Sequence, residues 1–182
     1  MSRTDARIRY TQGVLKQALL SFLQEKPINK ITVKEVCERA ELNRATFYAH
    51  YSDCFALLES IEEDLLEAFQ QSLKLVASFD VTALIEAIYT MIEQQQEACR
   101  VLIFQNVCPN VLRRMIGLAR GESIAYWKQH LHRVTEAELE MLYTHLSNGL
   151  MHVVVEGYEK YSREEVVRFV NRIVQCSLSQ FQ

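Results

Sequence analysis

The pattern of apolar and polar positions predicts helices along the whole chain. Apolar residues recur at spacings of three and four, the period of one helical face; Val33, Val36, Cys37 and Ala40 are an example. Only two prolines and five glycines occur among the 182 residues, so few positions interrupt such helices. We therefore predict an all-α fold with an N-terminal three-helix domain (residues 1–52) and a C-terminal helical domain (residues 53–182).

Residues 31–48 carry the start and stop signals of two short helices. Thr32 and Glu35 match a capping box at the start of the first helix, which should end near Ala40. Asn43 is a favourable N-cap for the second helix. Leu42 before this cap and Phe47 after it match a hydrophobic staple, which would fix the angle of entry. Two short helices joined by a tight turn predict a helix-turn-helix.

A longer third helix should follow, opened by Ser52 and Asp53. Its predicted buried stripe consists of Phe55, Leu58, Ile61, Leu65 and Phe69. A first helix from about Thr4 to Glu25, ended by Pro27, would complete the N-terminal domain.

The second short helix, predicted from Asn43 to about Tyr51, has side chains suited to DNA. The first residues of a recognition helix face base edges in the major groove. Arg44 is suited to a guanine edge, and Thr46 to a thymine methyl group or a hydrogen-bonding edge. The residues suited to phosphate oxygens are Thr32, Tyr48 and His50. The alternative is that this helix is plain packing with a solvated outer face.

The charge distribution favours DNA over plain packing. Residues 1–52 contain nine Lys and Arg against five acidic residues, a balance of +4. The whole chain has a net charge of −3, so residues 53–182 carry −7. A basic N-terminal unit on an acidic body is typical of a DNA-binding module with a separate regulatory domain.

Residues 31–58 resemble the DNA-binding domain of the tetracycline-repressor (TetR/AcrR) family of bacterial regulators. The matching elements are I-T-V-x-x-V-x-x-x-A, R-A-T-F-Y-x-H-Y and D-x-x-x-L-L, after a first helix that ends near Lys26. The resemblance implies a homodimeric transcriptional regulator, expected to be a repressor, that binds a pseudo-palindromic double-stranded DNA operator. It implies DNA contacts from Thr32, Asn43, Arg44, Ala45, Thr46, Tyr48 and His50.

The chain departs from the family pattern at three positions. Glu41 stands where the turn usually has glycine, and a left-handed conformation costs a non-glycine residue about 1–2 kcal/mol. Ala45 replaces a common glycine and adds a methyl group near the bases. Cys54 replaces a lysine that would contact a phosphate, so one backbone contact is expected to be missing.

The last two predicted helices are apolar on more than one side. Each begins with a capping box, Thr135 with Glu138 and Ser162 with Glu165. A helix that is apolar on several sides needs several neighbours, and the family resemblance favours a four-helix dimer interface over purely internal packing. The residues predicted for this interface are Leu142, Leu146, Gly149, Val153, Val166, Val170, Ile173 and Val174.

The C-terminal domain is also expected to receive the regulatory signal. Aromatic residues and methionines often line ligand pockets, although at helical spacing they are also common in cores. The predicted pocket residues are Tyr89, Met91, Phe104, Met115, Trp127 and Met151. The segment N-R-A-T-F-Y-x-H-Y also resembles a subgroup that includes the regulators of dihydroxyacetone-kinase operons. That likeness leaves open a partner protein as the signal and a role as an activator. A helical protein-interaction module is the alternative function.

Other classes of function find no support in the sequence. It contains no nucleophile–base constellation, glycine-rich phosphate loop or paired CxxC, so we expect no enzyme, no cofactor and no metal site. The five cysteines are odd in number and scattered, which predicts free thiols. Neither a signal peptide nor an apolar run of membrane-spanning length is present, so a cytoplasmic protein without membrane contact is expected. A glycine, Gly121, is expected to interrupt or bend a helix that begins at Pro109.

Overall fold

The computed structural model describes residues 3–74 and 81–181, and these residues form helices and no strands. This confirms the all-α prediction. The α-helices are α1 (Arg3–Leu23), α2 (Val33–Arg39), α3 (Arg44–Tyr48), α4 (Cys54–Lys74), α5 (Val81–Gln94), α6 (Gln96–Ala98), α7 (Pro109–His130), α8 (Glu136–Gly157) and α9 (Arg163–Leu178). Short 3₁₀ turns cover Ile28–Lys30 and Ser179–Phe181, and a π-helix covers Cys99–Phe104.

The described chain divides into two compact units. The first takes in the described residues within 1–65 and 97–107, and the second those within 66–96 and 108–182. The first unit therefore includes the start of α4 and the π-helix. The sequence-based division at residues 52 and 53, by contrast, assigned both segments to the second domain.

In the first unit, α1, α2 and α3 pack around a small apolar core. Leu15, Leu19, Val36, Phe47 and Leu57 have no exposed surface at all. The buried side of α4 continues through Leu58, Ile61 and Leu65, as predicted. Phe55 was wrongly predicted to belong to this stripe, since 57% of it is exposed. Cys54, one residue earlier, takes the inward position, which turns Phe55 about 100° away.

The second unit is built from α5, α7, α8 and α9, with α7 on α8, α8 on α9 and α5 on α9. Hydrogen bonds join these pairs at particular points. The hydroxyl of Tyr143 on α8 donates to the carbonyl of Ile116 on α7 over 2.6 Å. The amide of Asn171 on α9 donates to the Thr82 hydroxyl on α5 over 2.7 Å.

The helix boundaries of this unit follow the predicted signals, with one exception. Thr135 with Glu138 and Ser162 with Glu165 form complete capping boxes, which confirms both predictions. Pro109 occupies the first turn of α7, where its missing N–H costs nothing. Gly121 does not interrupt α7, which continues to His130. The cost of glycine in a helix interior is only about 1 kcal/mol, and the packing of α7 on α8 outweighs it.

The turn between α2 and α3 is a complete Schellman motif. The N–H of Leu42 donates to the carbonyl of Cys37 over 2.9 Å, and the N–H of Glu41 donates to that of Glu38 over 3.3 Å. Glu41 has φ 54°, in the left-handed region. Glycine is favoured at such a position because it has no Cβ to clash. Glu41, which stands where the family usually has glycine, therefore has the backbone strain that the sequence analysis expected.

We predict that Glu41→Gly raises the free energy of unfolding by about 1 kcal/mol, because it removes the left-handed penalty. Chemical denaturation with guanidinium measures this change. Glu41→Ala is the matched control, since it removes the same charge but keeps the Cβ. Equal stabilisation by both substitutions would attribute the gain to charge and contradict the strain.

Candidate nucleic-acid interface

The start of α2 is fixed by a capping box that involves Thr32 and Glu35. The N–H of Glu35 donates to the Thr32 hydroxyl oxygen over 3.3 Å. The Glu35 carboxylate accepts from the Thr32 N–H over 2.9 Å and from the Thr32 hydroxyl over 2.8 Å. Lys26, from the end of α1, donates to the other carboxylate oxygen over 2.7 Å. Thr32 is thereby held at the surface, but its N–H and its only hydroxyl proton are both donated to Glu35, so a contact with a phosphate oxygen requires it to release Glu35.

These hydrogen bonds lower the pKa of Glu35 from its ordinary value of 4.5 to about 2. The Lys26 ammonium has the largest effect, followed by the side chain and the backbone N–H of Thr32. Each donor favours the charged carboxylate. The link between α1 and α2 therefore depends on an ionised Glu35.

The second helix of the motif, α3, has only five residues. The Asn43 side chain caps it by accepting from the Thr46 N–H over 2.8 Å. Phe47 points into the core and is completely buried, while Leu42 is half-buried. The helix ends at Tyr48, before the predicted end near Tyr51, where the His50 N–H bonds to the Phe47 carbonyl three residues back and departs from the α-helical pattern.

The predicted DNA-contacting residues lie on the outer surface of this motif. Thr32, Asn43, Arg44, Ala45 and Tyr48 are exposed, and Thr46 and His50 are half-buried. Tyr48 has 58% of its surface exposed, and its ring meets the edge of the buried Phe47 ring at 5.6 Å. One packed side chain thus turns the rest of α3 outward.

Arg44 differs from four cations of the first unit that are held in ion pairs. Lys16, Lys26, Lys34 and Arg39 each pair with a carboxylate. Arg39 also stacks over the Phe22 ring at 4.2 Å, which makes it part of the packing. Among the described residues, Arg44 has no ion-pair partner. Its guanidinium is free to bind an anion or the acceptor edge of a base.

The two cysteines near this surface do not add a reactive site. Cys37 and Cys54 are buried, and burial raises the pKa of each thiol, that of Cys54 to about 11. A thiol with a raised pKa is a poor nucleophile. Cys54 is also turned inward at the start of α4, so it offers no cation in place of the family's lysine.

Comparisons with known proteins agree on this architecture. No family model matches the chain. A TetR transcriptional regulator from Streptococcus agalactiae superimposes with a TM-score of 0.67 at 21% identity, over 94% of this chain and 97% of that one. The dihydroxyacetone kinase operon activator DhaS superimposes with a TM-score of 0.66 at 13% identity, over 94% of this chain and 98% of that one. The chain has the TetR fold.

A curated relative matches about a third of the chain. The uncharacterised HTH-type transcriptional regulator YxbF of Bacillus subtilis is 37% identical over 62 residues, which cover 34% of this chain and 16% of YxbF. The chain therefore matches a small part of that protein's length. The TetR fold comes from the structural comparison, and the sequence similarity is confined to one stretch.

The second unit of this TetR fold contains a small apolar cavity of about 50 Å³. Its walls come from α4, α5, α7, α8 and α9 and consist of Phe69, Leu84, Ile88, Met115, Ile116, Ala119, Ser123, Trp127, Tyr143, Leu146, Ser147, Leu150, Met151 and Val174. No lining residue is a carboxylate, a lysine, an arginine or a histidine. The buried hydroxyls of Ser123 and Ser147 have no hydrogen-bond partner among the described residues.

Half of the predicted pocket residues line this cavity. Met115, Trp127 and Met151 line it, whereas Tyr89, Met91 and Phe104 do not. Tyr89 packs against Tyr158, with ring centroids 5.5 Å apart, and beneath Arg163. Phe104 belongs to the π-helix of the first unit. This cavity does not support the predicted pocket placement of these three residues, because apolar type alone does not distinguish a cavity wall from a core.

Ser123 and Ser147 were not among the predicted pocket residues, although their spacing in the sequence indicates that they face the cavity. Met115, Ala119, Ser123 and Trp127 recur every four residues, so they share one face of α7. A serine among large apolar residues on such a face marks a buried hydroxyl. On α8, Tyr143, Ser147 and Met151 follow the same spacing.

The residues predicted for a dimer interface fall into two groups. Leu146, Val166, Val170 and Val174 are buried within the chain's own second unit, so they are not accessible to a partner as the helices stand. Leu142 and Val153 are half-buried, whereas Gly149 and Ile173 are exposed. The buried group supplies the internal core, and its placement at the interface is corrected accordingly.

Two other kinds of site are absent from the described ranges. No group of three or more His, Cys, Asp or Glu residues there is placed to hold a metal ion. Within residues 3–74 and 81–181, no helix combines the length and apolar character that a membrane span requires.

The pKa of Glu35 predicts how the stability of this TetR-fold protein changes with acid. A lowered folded pKa stabilises the fold at pH values above 4.5, and this contribution disappears as the pH falls towards 2. Glu35→Gln should therefore lower the free energy of unfolding at pH 7, with the deficit closing between about pH 4.5 and 2. Urea denaturation across this pH range measures the difference.

Glu38→Gln on the same helix is the control. Glu38 is exposed, and its one ion pair among the described residues is with Lys34, over 3.7 Å. Its substitution should change stability much less. A deficit for Glu35→Gln that stays constant down to pH 2 would contradict the proposed role of the carboxylate charge.

Proposed function

We propose that the protein is a homodimeric transcriptional regulator of the TetR type, which binds a pseudo-palindromic operator through α2 and α3. The observation that carries this proposal is the outward face of α3. Arg44 lies on this face beside Ala45, Thr46 and Tyr48, and it has no ion-pair partner among the described residues. The buried Phe47 side chain anchors the helix to the core. The likeness to YxbF, named as an HTH-type regulator, supports it.

Each type of side chain on this face has a defined role in the proposal. Arg44 donates two hydrogen bonds to the O6 and N7 acceptors of a guanine in the major groove. Tyr48 and His50 bind phosphate oxygens, which set the position of the protein without reading sequence. Thr32 does so only where it releases its hydroxyl proton from Glu35. The N-terminal domain responsible for these contacts is residues 1–52, and residues 53–182 receive the signal and dimerise.

Effector control acts through the second unit in this proposal. The cavity of about 50 Å³ is far below the 300–1,000 Å³ typical of ligand pockets, so an effector has to enlarge it. A buried hydroxyl without a partner costs about 1–3 kcal/mol, and Ser123 and Ser147 regain this on binding a polar group. The lack of lining charges favours an uncharged effector. Regulation by a partner protein is the alternative route.

We propose repression as the direction of control, since a dimer bound across a promoter blocks transcription by occupancy alone. The fold does not require this direction, because DhaS, which has the same fold, is named as an activator. The protein acts on DNA in the bacterial cytoplasm under either direction.

Selection of bound fragments from random DNA by the purified protein tests the proposal. We predict a pseudo-palindromic consensus, with half-sites one helical turn apart, or about 34–36 Å. Affinity should fall steeply as salt increases. Binding without any sequence preference, or no salt-sensitive binding, would favour a helical protein-interaction module instead.

Arg44→Ala should weaken binding to the selected site by about 1–3 kcal/mol and relax the preference at one base position of each half-site. Fluorescence anisotropy on the selected site and on single-base variants measures both effects. Arg113→Ala removes the same charge from an exposed position on α7 and should leave the preference unchanged. An equal loss on every sequence would make Arg44 a phosphate contact.

The proposed dimer uses the outer faces of α8 and α9. Met141 on α8 and Ile173 on α9 are large apolar residues with 63% and 44% of their surfaces exposed, and Gly149 permits close approach of a partner helix. Covering such residues is the main driving force for association. Leu142 and Val153 lie at the edge of the same faces.

Ile173→Asp should raise the dimer dissociation constant at least about tenfold, because association would bury an unpaired carboxylate. Sedimentation equilibrium measures the constant. Leu118→Asp, at an exposed apolar position on α7, is the matched control and should leave it unchanged. A dimer unaffected by Ile173→Asp would place the interface elsewhere.

A further inference from the structure

The hydrogen bonds of Thr46 determine which chemical groups it presents outward. Its backbone N–H lies 2.8 Å and its hydroxyl oxygen 3.0 Å from the same acceptor, Asn43 Oδ1. A threonine hydroxyl has one proton, and this proton is donated to Asn43. Thr46 therefore retains two accepting lone pairs and the Cγ2 methyl group, but no free donor.

We propose that Thr46 selects an A·T base pair in the operator. Its Oγ1 accepts a hydrogen bond from the N6 amino group of adenine, and its Cγ2 contacts the C5 methyl of the paired thymine. This inference rests on the proposed function, since it requires α3 in the major groove. The combination of acceptor and methyl group that Thr46 presents comes from its hydrogen bonds with Asn43.

The donor and acceptor pattern of the base pairs explains the choice. In the major groove an A·T pair presents one amino donor and one methyl group, which match the two groups left on Thr46. A G·C pair presents an amino donor only on cytosine and has no methyl group beside it, and a guanine in the place of adenine presents two acceptors. An acceptor placed against an acceptor leaves both unsatisfied, which is costly in a desolvated interface. To donate to guanine, Thr46 would have to release Asn43.

Asn43 is a positioning residue in this scheme. It need not touch the base that Thr46 reads, because it acts by holding the hydroxyl proton. The same Oδ1 atom caps α3, so the start of the helix and the polarity of Thr46 are set together. Exclusion of guanine then depends on Asn43 as well as on Thr46.

Base analogues in the selected operator test the contact atom by atom. Replacing thymine by uracil removes only the methyl group, and replacing adenine by purine removes only the amino group. At one A·T position of each half-site, each analogue should weaken wild-type binding about fivefold, the low end for one base contact. Anisotropy titrations with wild type, Thr46→Val and Thr46→Ser provide the comparison.

The two variants should lose opposite sensitivities. Thr46→Val keeps a methyl group and lacks the hydroxyl, so it should respond to uracil and ignore purine. Thr46→Ser keeps the hydroxyl and lacks the methyl, so it should respond to purine and ignore uracil. Both keep the backbone N–H that Asn43 caps, and circular dichroism checks their fold. If Thr46→Val does not fold, Thr46→Ser decides the methyl contact alone.

Asn43→Gly tests the polarity. Glycine is an acceptable N-cap residue but offers no side-chain acceptor, so the Thr46 proton becomes free. The variant should tolerate a G·C pair at the position read by Thr46, whereas the wild type rejects it. A loss of affinity that is equal for both base pairs would give Asn43 a structural role only and overturn its part in the inference.

The remaining outcomes separate this inference from the proposed function. A selected guanine opposite Thr46, or a Thr46→Val variant that responds to purine as the wild type does, would overturn the inference while leaving the regulator intact. Wild-type protein that selects no DNA sequence would overturn the proposed function, and this inference with it.

Discussion

The outward face of α3 exists because Phe47 is buried. A helix of five residues has no stability of its own, since nucleation costs more than one turn of hydrogen bonds returns. Complete burial of the Phe47 ring stabilises it by roughly 1.5–3 kcal/mol, and the Asn43 cap adds about 1 kcal/mol. The exposed remainder of the helix surface is left for Arg44, Ala45 and Tyr48. The proposed interface is a consequence of one packed side chain.

The strained turn before α3 and the hydrogen-bonded charges at the start of α2 both fix the position of the helix-turn-helix. Glu41 takes a left-handed conformation so that the chain can reverse within a Schellman motif. The carboxylate of Glu35 joins Lys26 to Thr32 and ties α2 to the end of α1. Four cations of this unit, Lys16, Lys26, Lys34 and Arg39, are used in such pairs. Arg44, for which the described residues offer no ion-pair partner, is thereby distinguished by its surroundings as much as by its position.

Local signals made the helix ends of the chain predictable. The capping boxes at Thr32, Thr135 and Ser162 involve residues three apart, so the sequence alone indicates them. Phe55 was misplaced because Cys54 and Phe55 lie four and three residues before Leu58, so helical spacing places either of them on the buried stripe. Tertiary packing decides which of the two turns inward. The early end of α3 was also missed, since nothing in the sequence indicated that the His50 N–H bonds three residues back, to the Phe47 carbonyl.

Predictions that needed non-local information were weaker. The valines of α9 read equally well as core or as interface, and the structure places Val166, Val170 and Val174 in the core. Aromatic type suggested Tyr89 for the pocket, but only the packing of α7 on α8 reveals a cavity with Ser123 and Ser147. The π-helix at Cys99–Phe104 had no sequence signal, because its hydrogen-bond register depends on both flanking helices. Residue spacing thus defines faces, and packing decides their use.

Methylation interference on the selected operator tests the central claim most directly. Dimethyl sulfate modifies N7 of guanine in the major groove and N3 of adenine in the minor groove. If α3 presents Arg44 to the major groove, methylation at guanine N7 in each half-site should block binding of the wild type, and Arg44→Ala should lose this interference. Interference confined to adenine N3 would place the protein in the minor groove and contradict the account.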